Sequence, residues 1–290
     1  MSVSDQLSYE ARVRTRQALV AGGTALLLIG AAAAQLAGSQ VKVSELTVQL
    51  IQVHKRFPLD LVGAVVDAVG LLGLIWSLTF LFGVARARKP EMSPAVRTLA
   101  IAGGIVSGIG GIVYAAVIAA KASEFVQHGT QSYVQAKQVT KGAALPALQT
   151  LDIAAQFVLA LAIILIALNA MRVGLLTRFM GYFGILAGAA SMLLIGSPPA
   201  VALQVFWLLA LGFLFSGRWP NGDPPSWRTG RAEPWPSSVE MREQRMKQTA
   251  DKAQKPAREP AAVASKPAAE GAGAARTRAS TPKRKRKKRR

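Results

Sequence analysis

The chain has no cysteine in 290 residues, only two histidines, and aromatic side chains at 7%. Each shortage removes a class of chemistry. Without cysteine there is no disulfide framework, no zinc–thiolate or iron–sulfur site and no thiol nucleophile, and the redox compartment leaves no trace. His54 and His128 lie in separate polar stretches, neither within an HExxH arrangement nor near a second ligand of known spacing. No GxSxG elbow or Walker loop occurs, and the run from Gly103 to Gly108 sits inside an apolar stretch where a phosphate cradle is out of place. No catalytic, cofactor-binding or metal-binding residue is therefore assigned, no cofactor is implied, and the reading is of a non-enzymatic protein. The opposing reading is an intramembrane hydrolase using aspartates, or a metal site using the two histidines.

Acidic residues are scarce as well. Against 35 Lys+Arg there are 15 Asp+Glu, a net charge of +20, yet 51% of the chain is hydrophobic and the mean hydropathy is +0.30. High charge and high hydropathy are reconciled by dividing the chain near residue 216. Residues 1–216 hold 15 basic and 8 acidic side chains, whereas residues 217–290 hold 20 and 7. The two parts are different polymers.

The first part is built of long apolar runs. A hydrocarbon core of about 30 Å requires about 20 apolar residues of helix, because unpaired backbone groups in lipid are costly. Six runs meet or approach this, at residues 18–37, 61–85, 98–120, 147–171, 179–196 and 199–216. The last two are joined by Ser197, Pro198 and Pro199, which leaves room only for a tight turn and predicts a helical hairpin. The fold class is thus all-α: a polytopic membrane protein of about six transmembrane helices. It comprises an N-terminal cytoplasmic segment (1–17), a six-span membrane domain (18–216), a Trp/Pro-rich juxtamembrane segment (217–236) and a disordered polybasic tail (237–290).

Basic residues in short loops set the orientation. With the N-terminus inside, inner segments carry Arg12, Arg14, Arg16, Arg86, Arg88, Lys89, Arg97, Arg172, Arg178 and the tail, and outer loops carry Lys42, Lys55, Arg56, Lys121, Lys137 and Lys141. The inner loops are shorter and more densely basic, which places both termini in the cytoplasm and the protein in the cell membrane as a multi-pass chain. One alternative makes the first span a cleaved signal peptide, on the strength of Gly30 and Ala31 to Ala34; Asp5 and Glu10 in a long n-region argue against it. In the first outer loop Leu46, Leu50, Val53 and Phe57 fall at helical spacing before Pro58, the pattern of a short interfacial helix or of a cap on the bundle.

Inside the spans, small residues recur every fourth position: Gly103, Ser107 and Gly111; Gly104 and Gly108; Gly184 and Gly188; Gly30, Ala34 and Gly38. Such spacing lets helix backbones approach closely. It is a packing signal, and it leaves open a homo-oligomer through the Gly-rich third span. Asp67 stands out more. It lies about 12 Å into the second span, with Leu and Val around it and no cation in any span core, so the neutral acid, hydrogen-bonded to Ser107, is its expected form. Asp60 precedes it by one heptad, and Asp152 with Gln156 marks the outer half of the fourth span. Asp60, Asp67, Ser107, Asp152 and Gln156 are the candidate intramembrane polar cluster, either a proton- or cation-handling site in a small transporter or channel, or a set of hydrogen-bonded packing and helix-start residues.

After the last span, Trp219, Trp227 and Trp235 occur eight residues apart among prolines, which predicts an irregular collar or plug against the inner face, with its rings at the headgroup level. The stretch MRVGLLTRFMGYFGI over residues 171–185, together with this Trp-Pro module, resembles the corresponding regions of an uncharacterised family of multi-span membrane proteins from high-GC bacteria. The resemblance covers roughly residues 10–236. It implies a membrane location and a helical fold and brings no activity or catalytic residue with it.

From residue 237 the chain is Ala, Pro, Lys, Arg, Glu and Gln with almost no large apolar side chain, too little to offset chain entropy. A short helix is conceivable over residues 238–252. The chain ends Lys283, Arg284, Lys285, Arg286, Lys287, Lys288, Arg289, Arg290, an unbroken basic run. Anionic lipid headgroups are one partner for it, at about 1 kcal/mol per residue near the surface, and RNA or a ribosome is another, through phosphate neutralisation. A third reading is a solubilising, orientation-fixing run without a partner. A chain ending at Ser237 is expected to lose salt-sensitive capture of anionic vesicles or RNA that the full chain shows. Equal capture by the two would reduce the tail to a topology and solubility device.

Overall fold

In a computed structural model of the chain, the described residues are 3–38, 45–128, 130–195, 197–220 and 222–235, with isolated positions at 242, 243, 246, 247 and 249. The basic run at 283–290 and most of the helix expected over 238–252 lie outside them. The described residues contain helices and connections and no strand. Contacts divide the chain after Ser237 into two units.

The first unit holds the helices α1 (Val3–Gly38), α2 (Leu46–Arg56), α3 (Leu59–Arg88), α4 (Ala95–Gln127), α5 (Tyr133–Thr140), α6 (Ala144–Arg172), α7 (Arg178–Leu193), α8 (Pro198–Phe215) and α9 (Pro225–Thr229). All six expected apolar helices are present. Five of them, α1, α3, α4, α6 and α8, are long and apolar enough to cross a membrane. The helix expected over 179–196 is shorter: α7 has 16 residues, about 24 Å at 1.5 Å per residue, because its helix ends at Leu193 ahead of the turn into Pro198. Thr177 caps its start by accepting a hydrogen bond from the Met180 amide.

These six helices form a closed ring. α3 packs on α1, α1 on α8, α8 on α7, α7 on α6, α6 on α4, and α4 back on α3. The perimeter is apolar: Leu19, Leu26, Trp76, Ile109, Phe179, Tyr182 and Leu193 are all exposed, a belt suited to acyl chains and not to water. α1 is one member of the ring, with Ala21 and Ala25 fully buried. Its helix begins at Val3, well before the apolar run at 18–37, since a charged helical segment carries Glu10 and Arg14 into contacts at the same end of the bundle.

The small-residue spacing is used within the chain. A Cβ on Gly103 would lie 2.7 Å from the Leu159 amide nitrogen and 2.9 Å from the Ala155 carbonyl oxygen, so α4 and α6 touch backbone to backbone. Gly104 faces Ile75 and Gly108 faces Ala68 on α3, Gly184 faces Trp207 on α8, and Gly188 faces the Ala160 carbonyl on α6. Gly30 and Gly111 meet nothing within 4 Å.

One end of the ring is locked by ion pairs. Arg88 at the close of α3 meets Glu10 with both nitrogens, Nη1 to Oε1 at 2.8 Å and Nη2 to Oε2 at 2.7 Å, and its side chain is 0% exposed. The same guanidinium donates to the Ser226 carbonyl. Arg14 pairs with Asp223 at 2.7 and 2.8 Å and donates to the Leu214 carbonyl at 2.7 Å. Both guanidinium groups lie over the Trp227 ring, Arg14 at 4.6 Å and Arg88 at 5.7 Å from its centre, and the Trp227 Nε1 donates to the Leu175 carbonyl. Trp227 is therefore buried against Phe80 and Phe215 and not placed among headgroups. It sits on the short helix α9 in a segment expected to be irregular. The segment closes with the Glu233 amide bonded to the Val173 carbonyl over Gly174, which has φ +78° and no room for a Cβ against Glu233. The start of α1, the end of α3, the α6–α7 turn and the end of α8 all meet here, so consecutive ring helices run antiparallel.

The other end is capped by α2 and α5. Leu50 of α2 is buried with Ala122 and Phe125 of α4 and Ala136 of α5 in a small core of its own, which explains the helical spacing of Leu46, Leu50 and Val53 as a cap.

Two substitutions probe these contacts. Gly103→Ala is expected to destabilise by about 1–3 kcal/mol through overpacking, whereas Gly111→Ala leaves the unfolding midpoint in detergent unchanged or raised. Glu10→Gln, which strands a buried guanidinium, should cost about 3–5 kcal/mol, and the apolar pair Glu10→Leu with Arg88→Met should be less damaging than either half alone.

Candidate functional site

The cavity at the centre of the ring is the candidate site. Its volume is about 340 Å³, and all six ring helices line it, from Leu28 on α1 to Gln204 on α8. It lies in the half of the bundle nearer α2 and α5, away from the ion-pair lock: Asp67 falls in the first third of α3, Asp152 in the first third of α6, and Ser191 near the end of α7.

Helical periodicity aims the polar groups inward. On α3, Asp67 and Leu71 are four residues apart on one face, and on α6 Asp152, Gln156, Leu159 and Ile163 form another inward stripe. Ser107 Oγ donates to Asp152 Oδ1 at 2.6 Å, and Gln156 Nε2 donates to Asp152 Oδ2 at 2.7 Å. Both carboxylate oxygens of Asp152 are thereby held in position. Asp67 accepts no hydrogen bond among the described residues, and it lines the same cavity as Asp152. Among the described residues, no Lys, Arg or His lines the cavity.

The structure brings together four of the five expected cluster residues, Asp67, Ser107, Asp152 and Gln156, around this one cavity. The partner expected for Ser107 is different: it bonds Asp152 and not Asp67. The reason is the backbone contact at Gly103. Once Gly103 touches α6 at Ala155 and Leu159, the antiparallel register sets Ser107, one turn along α4, opposite Asp152, one turn back along α6. Asp60 does not join the cluster. It is paired with Arg56 at 2.9 Å and does not line the central cavity, because seven residues of helix carry it about 10 Å along the axis.

Two lining residues escaped the sequence reading. Ser191 and Gln204 face the cavity from α7 and α8, and the signal for them is that each is an isolated polar side chain within a strongly apolar run. Nothing local links Glu10 to Arg88 across 78 positions, so the lock carries no sequence signature. Among the described residues no three His, Asp or Glu side chains converge as a metal-binding set.

Comparison with known protein families, characterised proteins and solved structures finds no match for this chain. The site must be interpreted from its own chemistry.

Proposed function

We propose that this integral membrane protein takes up a small, positively charged or proton-carrying solute in its central cavity, as a transporter or channel would. The observation that carries the reading is the pair Asp67 and Asp152, two acids sharing a cavity that no cationic side chain lines among the described residues. Like charges in a poorly hydrated space oppose each other, and a bound cation or proton relieves that opposition. Ser107 and Gln156 hold Asp152 still, which preorganises one acid and leaves Asp67 free to respond. At about 340 Å³ the space fits a hydrated monovalent ion or a small organic amine, and lies at the lower end of pocket sizes for small ligands, roughly 300–1,000 Å³.

The long apolar helices support residence in a lipid bilayer. We place the chain in the cell membrane with both termini in the cytoplasm, since the ion-pair lock gathers the starts and ends of the helices where Arg86, Lys89, Arg97, Arg172 and Arg178 lie.

A second reading rests on the eight-residue basic run at the C-terminus. It makes the bundle an anchor from which the tail engages anionic headgroups, RNA or a ribosome. The two readings separate cleanly, because loss of the tail leaves the cavity intact.

Sodium, potassium and tetramethylammonium ions are the probes for the cavity. At about 100 times the dissociation constant, a bound ion stabilises the folded state by about 2.7 kcal/mol, read as a raised unfolding midpoint of the detergent-solubilised full chain. The rise should vanish in Asp67→Asn and persist in the tail-deleted chain. Proteoliposome flux of the ion, or of protons, should follow the same pattern. If no ion shifts the midpoint and flux is the same with and without Asp67, the cavity reading fails.

A further inference from the structure

A second cavity, of about 270 Å³, adjoins the central one and is lined by Ala34, Arg56, Asp60, Ala64 and Ala115 among others. Ala64 lines both. On α3, Asp60, Ala64 and Asp67 follow one another on a single helix face, so the two cavities are stacked along that face with Asp67 the deeper. The outer one holds the ion pair that takes Asp60 out of the central cluster. Arg56 Nη2 reaches Asp60 Oδ1 at 2.9 Å and the Ala34 carbonyl at 2.8 Å. One guanidinium thus ties together the later part of α1, the end of α2 and the start of α3.

The two ends of the bundle are closed unequally. At the lock, the Arg14 and Asp223 side chains are 13% and 26% exposed, but Arg88 and Glu10 behind them are 0% and 5% exposed, and Arg88 makes further hydrogen bonds to backbone carbonyls. At the other end, Arg56 and Asp60 are 26% and 32% exposed. Water can replace each partner of a partly exposed pair, so such a pair opens readily, whereas opening the buried pair strands a charge. We propose that the Arg56–Asp60 pair is the gate through which solutes reach the Asp67 cavity, and that the Arg88–Glu10 end stays shut while it opens. The purpose of the gate rests on the reading of the cavity as a solute site. The route itself does not depend on what is bound.

The absence of native cysteine makes the gate directly measurable. Gly111→Cys places one thiol at the central cavity, where nothing lies within 4 Å of an added Cβ. The rate at which a small neutral methanethiosulfonate modifies that thiol is measured in the full chain in lipid nanodiscs. It is then measured again with Arg56→Gln, with Asp60→Asn and with both. Each single substitution should accelerate modification by about two- to fivefold, the range for losing a partly exposed ion pair. The double should gain nothing beyond Arg56→Gln, because that substitution alone removes both the ion pair and the bond to the Ala34 carbonyl. The charge swap Arg56→Asp with Asp60→Arg remakes the ion pair but not the bond to the Ala34 carbonyl, so it should be modified more slowly than the double, which separates a gate from a misfolded variant. Unchanged rates in both singles, gains that add in the double, or a swap as fast as the double would overturn the gate. Gated modification in a chain that no cation stabilises would instead refute the solute reading and leave the gate standing.

Discussion

The arrangement depends first on the backbone contact between α4 and α6 at Gly103. Two helices in lipid gain nothing from hydrophobic exclusion of each other's surfaces, so close van der Waals approach and interhelical hydrogen bonds must hold them. Gly103 provides the approach by meeting the Ala155 carbonyl and the Leu159 amide nitrogen. The hydrogen bond from Ser107 to Asp152 follows one turn away, and with it the firmly held carboxylate of the cavity. From that contact the ring continues to α3 on one side and α7 on the other, and the space left in the middle becomes the cavity.

The ends of the ring express two solutions to one problem, that of placing charge where the dielectric is low. At the lock, a bidentate arginine–glutamate pair is satisfied further by backbone carbonyls and flanked by an indole face, so neither charge of that pair is left without a partner. Near α2, the pair is partly exposed and sits beside free volume. The polar lining of the central cavity lies in the half of the bundle that holds the more exposed of these two pairs.

Much of this was legible in the residues alone. Length and apolarity located all six ring helices, the spacing of Leu46, Leu50 and Val53 located α2, and an aspartate deep in a span marked the cavity. Periodicity resolves such features because each depends on a few neighbouring residues. The illegible parts are pairings across distance. Glu10 and Arg88 are ordinary charges until α1 and α3 lie side by side, and Trp227 could not be told from an interfacial tryptophan until Phe80, Phe215 and two arginines surrounded it.

The sequence by itself determined the class of the protein, the number of apolar helices and the place of Asp67 inside one of them, because lipid imposes length and hydropathy on any chain that crosses it. Only the tertiary structure decided which acid takes the serine, which aspartate leaves the cluster for an arginine, and which charges are buried as a pair. Those outcomes depend on helix register and neighbour order, and both are set by backbone contacts between residues far apart in the chain.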